Sequence, residues 1–148
     1  MACLAVCAQL FAADAAAATY RVDDSATMPR ESSAAMKWSR PQAGRTEFSA
    51  IEGSTTVQVR LNLAPWLKRN GRVFLVLPEQ PGAPVDVSWT TQGRLLPGQL
   101  ISGQRALVLS GPINVERLDE TMVLRIRTDG TRMTAAQRLN FHFEIDVD

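Results

Sequence analysis

From residue 55 onward, apolar side chains recur at every second position, and the run TTVQVRLNL at 55–63 sets the pattern. Val57, Val59, Leu61 and Leu63 fall on one side and Gln58, Arg60 and Asn62 on the other, which predicts a strand with one buried and one solvated face. RVFLVL at 72–77 is almost wholly apolar and predicts a strand buried on both faces. Alternation returns in PVDVSWT at 84–90. Residues 95–101 and 105–110 predict a hairpin around Ser102-Gly103-Gln104, and 121–128 and 139–147 predict two further strands. Turn chemistry at Asn70-Gly71, Pro81-Gly82, Pro97-Gly98, Gly111-Pro112 and Asp129-Gly130 punctuates these runs.

The rhythm is missing earlier in the chain. Residues 19–54 are polar and rich in Ser, Ala and Arg, with one short strand expected over 35–39 before Pro41, and the rest is expected as an extended arm, loose or lying on the domain. Helical signals amount to single turns at Pro65–Arg69, with Pro at the first position, and at Thr134–Arg138. These patterns together predict an all-β fold. The expected architecture is a single antiparallel β-sandwich of seven to eight strands, immunoglobulin-like, with at most one or two short helical turns, and a small barrel is the alternative. Three parts follow: a leader-like segment at 1–18, the polar arm at 19–54 and the sandwich core at 55–148.

The terminal strand carries the only histidine. Leu139, Phe141, Phe143, Ile145 and Val147 share one face, and His142, Glu144 and Asp146 share the other. As a metal site this trio is handicapped, because alternate residues on a strand stand roughly 6.6–6.8 Å apart and a third ligand must come from a neighbouring strand. The expected neighbour is 122–128, which would offer Arg125 and Arg127 to the carboxylates. The face is therefore read as solvated cross-strand ion pairs, no metal site is assigned, and His142 is expected to matter little to stability.

Length and charge narrow the function. The 148 residues suit one domain with an ordinary core. Charge is nearly balanced, with 16 basic against 15 acidic residues, so the chain lacks the field that draws proteins to nucleic acid. Of the basic residues only Lys37 and Lys68 are lysines, which leaves the charge to guanidinium groups that pair bidentately with carboxylates.

The opening MACLAVCAQLFAADAAAA is apolar and Ala-rich, and small residues at Ala13-Asp14-Ala15 and Ala16-Ala17-Ala18 suit a signal peptidase, although no basic residue precedes the run. It is too short and too interrupted for a membrane span, and none is expected in the mature chain. Export to the periplasm or beyond is the expectation. Lipid attachment at Cys7 is less favoured because Val6 stands where a small residue belongs. Cleavage near Ala18 would remove Cys3 and Cys7, and with them any disulfide or cysteine-based zinc site.

No catalytic residues are assigned. The nucleophile-elbow and phosphate-loop motifs are missing, and a mid-strand His142 on an open face lacks the pocket that an acid–base group needs. No cofactor is expected either. Candidate chemistry is confined to a surface: LAPWLKRNGR places Trp66, Lys68, Arg69 and Arg72 in a strand connection, and the ends of sandwiches are common binding sites. The bland reading has Trp66 capping the core while the cations remain in water. Trp38 and Trp89 are expected as core or sheet-face residues. The expected function is a non-catalytic binding or scaffold module of the cell envelope whose partner is another envelope protein. The alternative is a structural subunit joined to its neighbours by strand addition, which the arm disfavours by alternating only at Tyr20 and Val22. A carbohydrate-binding module would need coplanar exposed aromatics, and the chain has few aromatics to spare.

Overall fold

The computed structural model describes residues 17–31, 33–39, 49–133 and 138–148. The 1–18 leader-like segment and the helical turn expected at 134–138 lie almost wholly outside them. The fold is all-β. Two antiparallel sheets pack around one core, and among the described residues the only helical pieces are three-residue turns at Ala64–Trp66 and Gly130–Arg132. No helix there is long and apolar enough to cross a membrane.

The ten strands are β1 (Ala18–Arg21), β2 (Met28–Pro29), β3 (Lys37–Trp38), β4 (Ala50–Asn62), β5 (Asn70–Leu77), β6 (Asp86–Thr91), β7 (Gly98–Ile101), β8 (Gln104–Pro112), β9 (Arg117–Asp129) and β10 (His142–Val147). One sheet runs β1-β10-β5-β8 and the other β2-β4-β9-β6-β7, with β3 also on β4. Inward side chains at every second position, among them Val57, Val59, Leu61, Val73, Leu75, Met122, Leu124, Phe143 and Ile145, are buried and form the shared core.

Several pairings differ from the sequence expectation. β4 begins at Ala50 rather than Thr55, because Ile51 and Gly53 continue its inward row and pair with Thr128 and Ile126 of β9. β5 alternates instead of being buried on both faces, since Phe74 and Val76 lie half-covered on the outside of the four-stranded sheet. The expected hairpin over 95–110 splits: β7 pairs with β6 and β8 with β5. Ser102-Gly103-Gln104 is thus a corner by which the chain changes sheets, turned at Gly103 with φ 90°, where a Cβ would be strained. Finally, β10 lies between β1 and β5 and not beside β9.

The polar arm is sewn down. After β1 has paired with β10, Val22 enters the core at 1% exposure and its N–H bonds the Phe143 carbonyl. The chain then crosses to the other sheet and follows β4 backwards, through Asp23 opposite Asn62, Met28 opposite Gln58 and Trp38 opposite Ile51. Thr27 and Arg60 exchange hydrogen bonds, Thr27 Oγ1 accepting from the Arg60 N–H at 2.9 Å. Backbone hydrogen bonds compensate for scarce apolar burial, which is why hydrophobic periodicity does not reveal this segment.

β4 and β9, at 13 residues each, outreach β10 with 6 and β5 with 8. At about 3.4 Å per residue the long pair spans roughly 44 Å against roughly 20–27 Å for the short ones. The overhang falls at the 50–56 and 123–129 end, where β2 and chain at 33–36 and 138–141 supply the cover.

Candidate functional site

Two groups of side chains carry chemistry, and they lie on and beside the paired strands β1 and β10. The first is the Trp66 corner. Asn62 Oδ1 accepts the Ala64 N–H at 3.2 Å and starts the turn, which spans Ala64–Trp66 with Pro65 second, one residue earlier and shorter than the expected Pro65–Arg69. The indole folds back into the core at 8% exposure, so Trp66 supplies little surface. Tyr20 of β1, 46% exposed, lies over it with ring centroids 6.1 Å apart. It is therefore Tyr20 that presents an aromatic face to solvent here, and only the pairing of β1 with β10 puts it there.

Beyond the turn, Lys68 has φ 66°, the left-handed region that a lysine enters at a cost of about 1–2 kcal/mol. Ile113 locks the conformation from both sides: its carbonyl accepts the Lys68 N–H and its N–H donates to the Arg69 carbonyl, both at 2.8 Å. Ile113 itself is 1% exposed, so the loop is tied to the core. Lys68, Arg69 and Arg72 are exposed. Arg69 Nη2 donates to the Asp148 carbonyl at 2.7 Å, drawing the chain's end under the corner. Of the four residues singled out in the sequence, Lys68 and Arg69 face solvent in the connection, Arg72 is exposed on β5 opposite Asp146, and Trp66 anchors the connection from below.

The second group is the outer face of β10. Arg105 of β8 reaches across Phe74, its guanidinium carbon 4.2 Å from the ring centroid, and meets Asp146 with two nitrogens at 3.2 Å each. Thr19 of β1 donates its hydroxyl to the same carboxylate at 2.6 Å. The Thr19 hydroxyl, and then Arg105 with a smaller contribution from Arg72, hold the Asp146 carboxyl below the usual range against the upward push of burial. Glu144 lies 3.8 Å from Arg105 and 3.1 Å from His142 Nε2.

This network corrects the expectation of a solvated face served by Arg125 and Arg127. Arg127 instead faces Glu52 of β4, on the other sheet. Asp146 is only 7% exposed and His142 is half-buried. No group of three or more His, Cys, Asp or Glu among the described residues is placed to hold a metal ion. Arg105 was invisible as a partner because the split of β7 from β8 places it on the sheet that contains β10.

Among the other tryptophans, Trp89 is buried and donates its indole N–H to the Leu96 carbonyl at 2.9 Å. Trp38 is 61% exposed and its ring rests over Gly130. Comparison with family models, characterised proteins and solved structures finds no match for this chain.

Proposed function

We propose that this protein is an exported, non-catalytic, immunoglobulin-like β-sandwich of the periplasm or cell exterior. Its task is to bind another envelope protein through the corner formed by Tyr20, Lys68, Arg69 and Arg72 over Trp66. The observation that carries the reading is Lys68: a strained backbone, fixed by the buried Ile113, presents adjacent cations beside an exposed aromatic. A non-glycine residue held in a strained backbone by the surrounding fold supports a functional reading. Aromatic and arginine side chains on a rigid base are also the usual anchors of protein interfaces.

The exposed cations point to the partner's chemistry. Lys68 and Arg69 stand side by side in the connection, and an acidic segment on the partner fits them. Strand addition is disfavoured because the arm alternates apolar and polar residues only at Tyr20 and Val22, too briefly for a donor strand. Leader removal after Ala15 would leave β1 whole, whereas removal after Ala18 would delete the pairing of Ala18 with Val147.

The test uses the exported chain as bait against an envelope fraction, beside a Tyr20→Ser, Lys68→Glu variant. We expect a partner retained at low salt, lost at high salt and lost with the variant while its thermal melt is unchanged. Equal recovery by both baits would dismiss the corner. Fractionation and N-terminal sequencing of the expressed protein test export.

A further inference from the structure

All four residues of β1 are exposed, so apolar burial does not hold this strand in place. Its inner end is anchored, because Val22 enters the core and donates its N–H to the Phe143 carbonyl. The outer end has a different tie. Among the described residues, the one side-chain hydrogen bond that β1 makes runs from the Thr19 hydroxyl to Asp146 Oδ1 at 2.6 Å. Alternation along the ladder explains the reach. Val22 and Phe143 are a hydrogen-bonded pair, so Tyr20 and Ile145 are the next one, and Thr19 and Asp146 face each other at a non-hydrogen-bonded position, where side chains stand closest.

Asp146 is held for this contact by groups outside β1. Its carboxylate is buried, both oxygens are gripped by Arg105 at 3.2 Å, and Arg105 in turn lies over the Phe74 ring. The Thr19 hydroxyl is the leading influence that keeps the Asp146 carboxyl below its usual range, so the bond belongs to the ionised form and is charge-assisted. Tyr20 follows Thr19 in the chain and owes its place to it. Its ring meets Trp66 at a tilt of 43°, and one such ring contact is smaller than the entropy of ordering four exposed residues.

We propose that Asp146 is the positioning residue of the Trp66 corner: through Thr19 it latches β1, and the latch sets Tyr20 over the indole. With β1 docked, the corner presents an aromatic face beside Lys68 and Arg69. With β1 released, Tyr20 leaves and Trp66 is uncovered, while the two cations stay where Ile113 fixes them. A strand of four residues thus switches the corner between a complete and an incomplete site, and partner affinity scales with the docked fraction. That consequence for affinity rests on the corner being the binding site, whereas the latch itself does not.

Amide hydrogen exchange of the full chain tests the latch without a partner, since Tyr20 stands at a hydrogen-bonded position of the ladder and its amide reports docking. Thr19→Val removes the hydroxyl at an exposed position and keeps the β-branched shape. It should speed exchange at Tyr20 about tenfold while the Val22 amide and the thermal melt stay unchanged. Thr19→Ser, which retains the hydroxyl, should keep the parent rate. In an Asp146→Asn background, Thr19→Val should add much less than it does alone. An unchanged Tyr20 rate in Thr19→Val, an equal acceleration in Thr19→Ser, or full additivity with Asp146→Asn would each overturn the latch. The valine and serine comparison decides the matter should Asp146→Asn not fold. The two readings fail separately: equal partner recovery by the Tyr20→Ser, Lys68→Glu bait dismisses the corner, and the exchange result then stands as a property of the fold alone.

Discussion

At its Trp66 end the sandwich is closed by side chains that both sheets supply, whereas at the Thr55 end one sheet runs on alone under irregular chain. The same two-residue rhythm in β4 passes through both regions. Leu61 and Leu63, at 1% and 0% exposure, lie beneath the turn that carries Trp66, while Gly53 lies under Ala35 and Met36 and Thr55 lines a cleft beside 138–141. A strand's pattern therefore states which side is covered but not by what. A regular covering layer leaves a rigid end suited to presenting cations. An irregular one leaves space.

The contrast can be broken by substitution. The largest effect is expected from Phe143→Asp, fully buried opposite Leu75: a carboxylate forced into the core should prevent folding, read as loss of the cooperative melt. Next, Trp66→Ala should cost about 3–5 kcal/mol by chemical denaturation, whereas Leu139→Ala, half-buried at the open end, should cost about 1 kcal/mol. Equal losses would show the two ends to be equally well packed.

An intermediate effect is expected on the outer face of β10. Asp146→Asn removes the acceptor shared by Thr19 and Arg105, at a cost of about 1–2 kcal/mol. Because the folded-state pKa of Asp146 is depressed, its contribution is present in full above the unfolded value of about 3.9 and lost as pH falls through the folded one. Melts between neutral pH and pH 3 should show an acid-side decline that is smaller in the variant. A decline of equal size in both proteins would assign it to other carboxylates. His142→Ala should cost no more than about 1 kcal/mol, somewhat above what a solvated side chain would lose, since its ring reaches Glu144.

The smallest effect has the opposite sign. Lys68→Gly relieves the left-handed backbone and should raise stability by about 0.5–1 kcal/mol while weakening partner capture. A loss of stability instead would mean that the lysine stem, rather than its backbone strain, matters at the corner.

Much of the fold was legible because burial imposes a period. Val57 to Leu63, Val85 to Trp89 and Phe143 to Val147 were readable as strands from their apolar spacing alone, and the turn at Pro65 from its ring. Of the arm at 18–39 only β3 was legible, inside the short strand expected over 35–39. Its strands are held by backbone hydrogen bonds and one buried valine, and neither leaves a repeating mark. Of the candidate corner, Trp66 and its cations could be read from one short stretch, but Tyr20, some 46 positions earlier, could not. The Arg105–Asp146–Thr19 network joins three strands far apart in sequence, and no local pattern encodes such a meeting.

The sequence by itself determined that the chain forms strands, which side of each is buried and where most of them turn, since these follow from neighbours one or two residues apart. Only the tertiary structure decided which strands lie side by side, that β7 and β8 belong to different sheets, and that the first strand pairs with the last. Those choices depend on contacts between residues from tens of positions apart, as in the pairing of β5 with β8, to well over a hundred, as between Thr19 and Asp146. The free energy of closing so long a loop is recovered only when both sheets are in place.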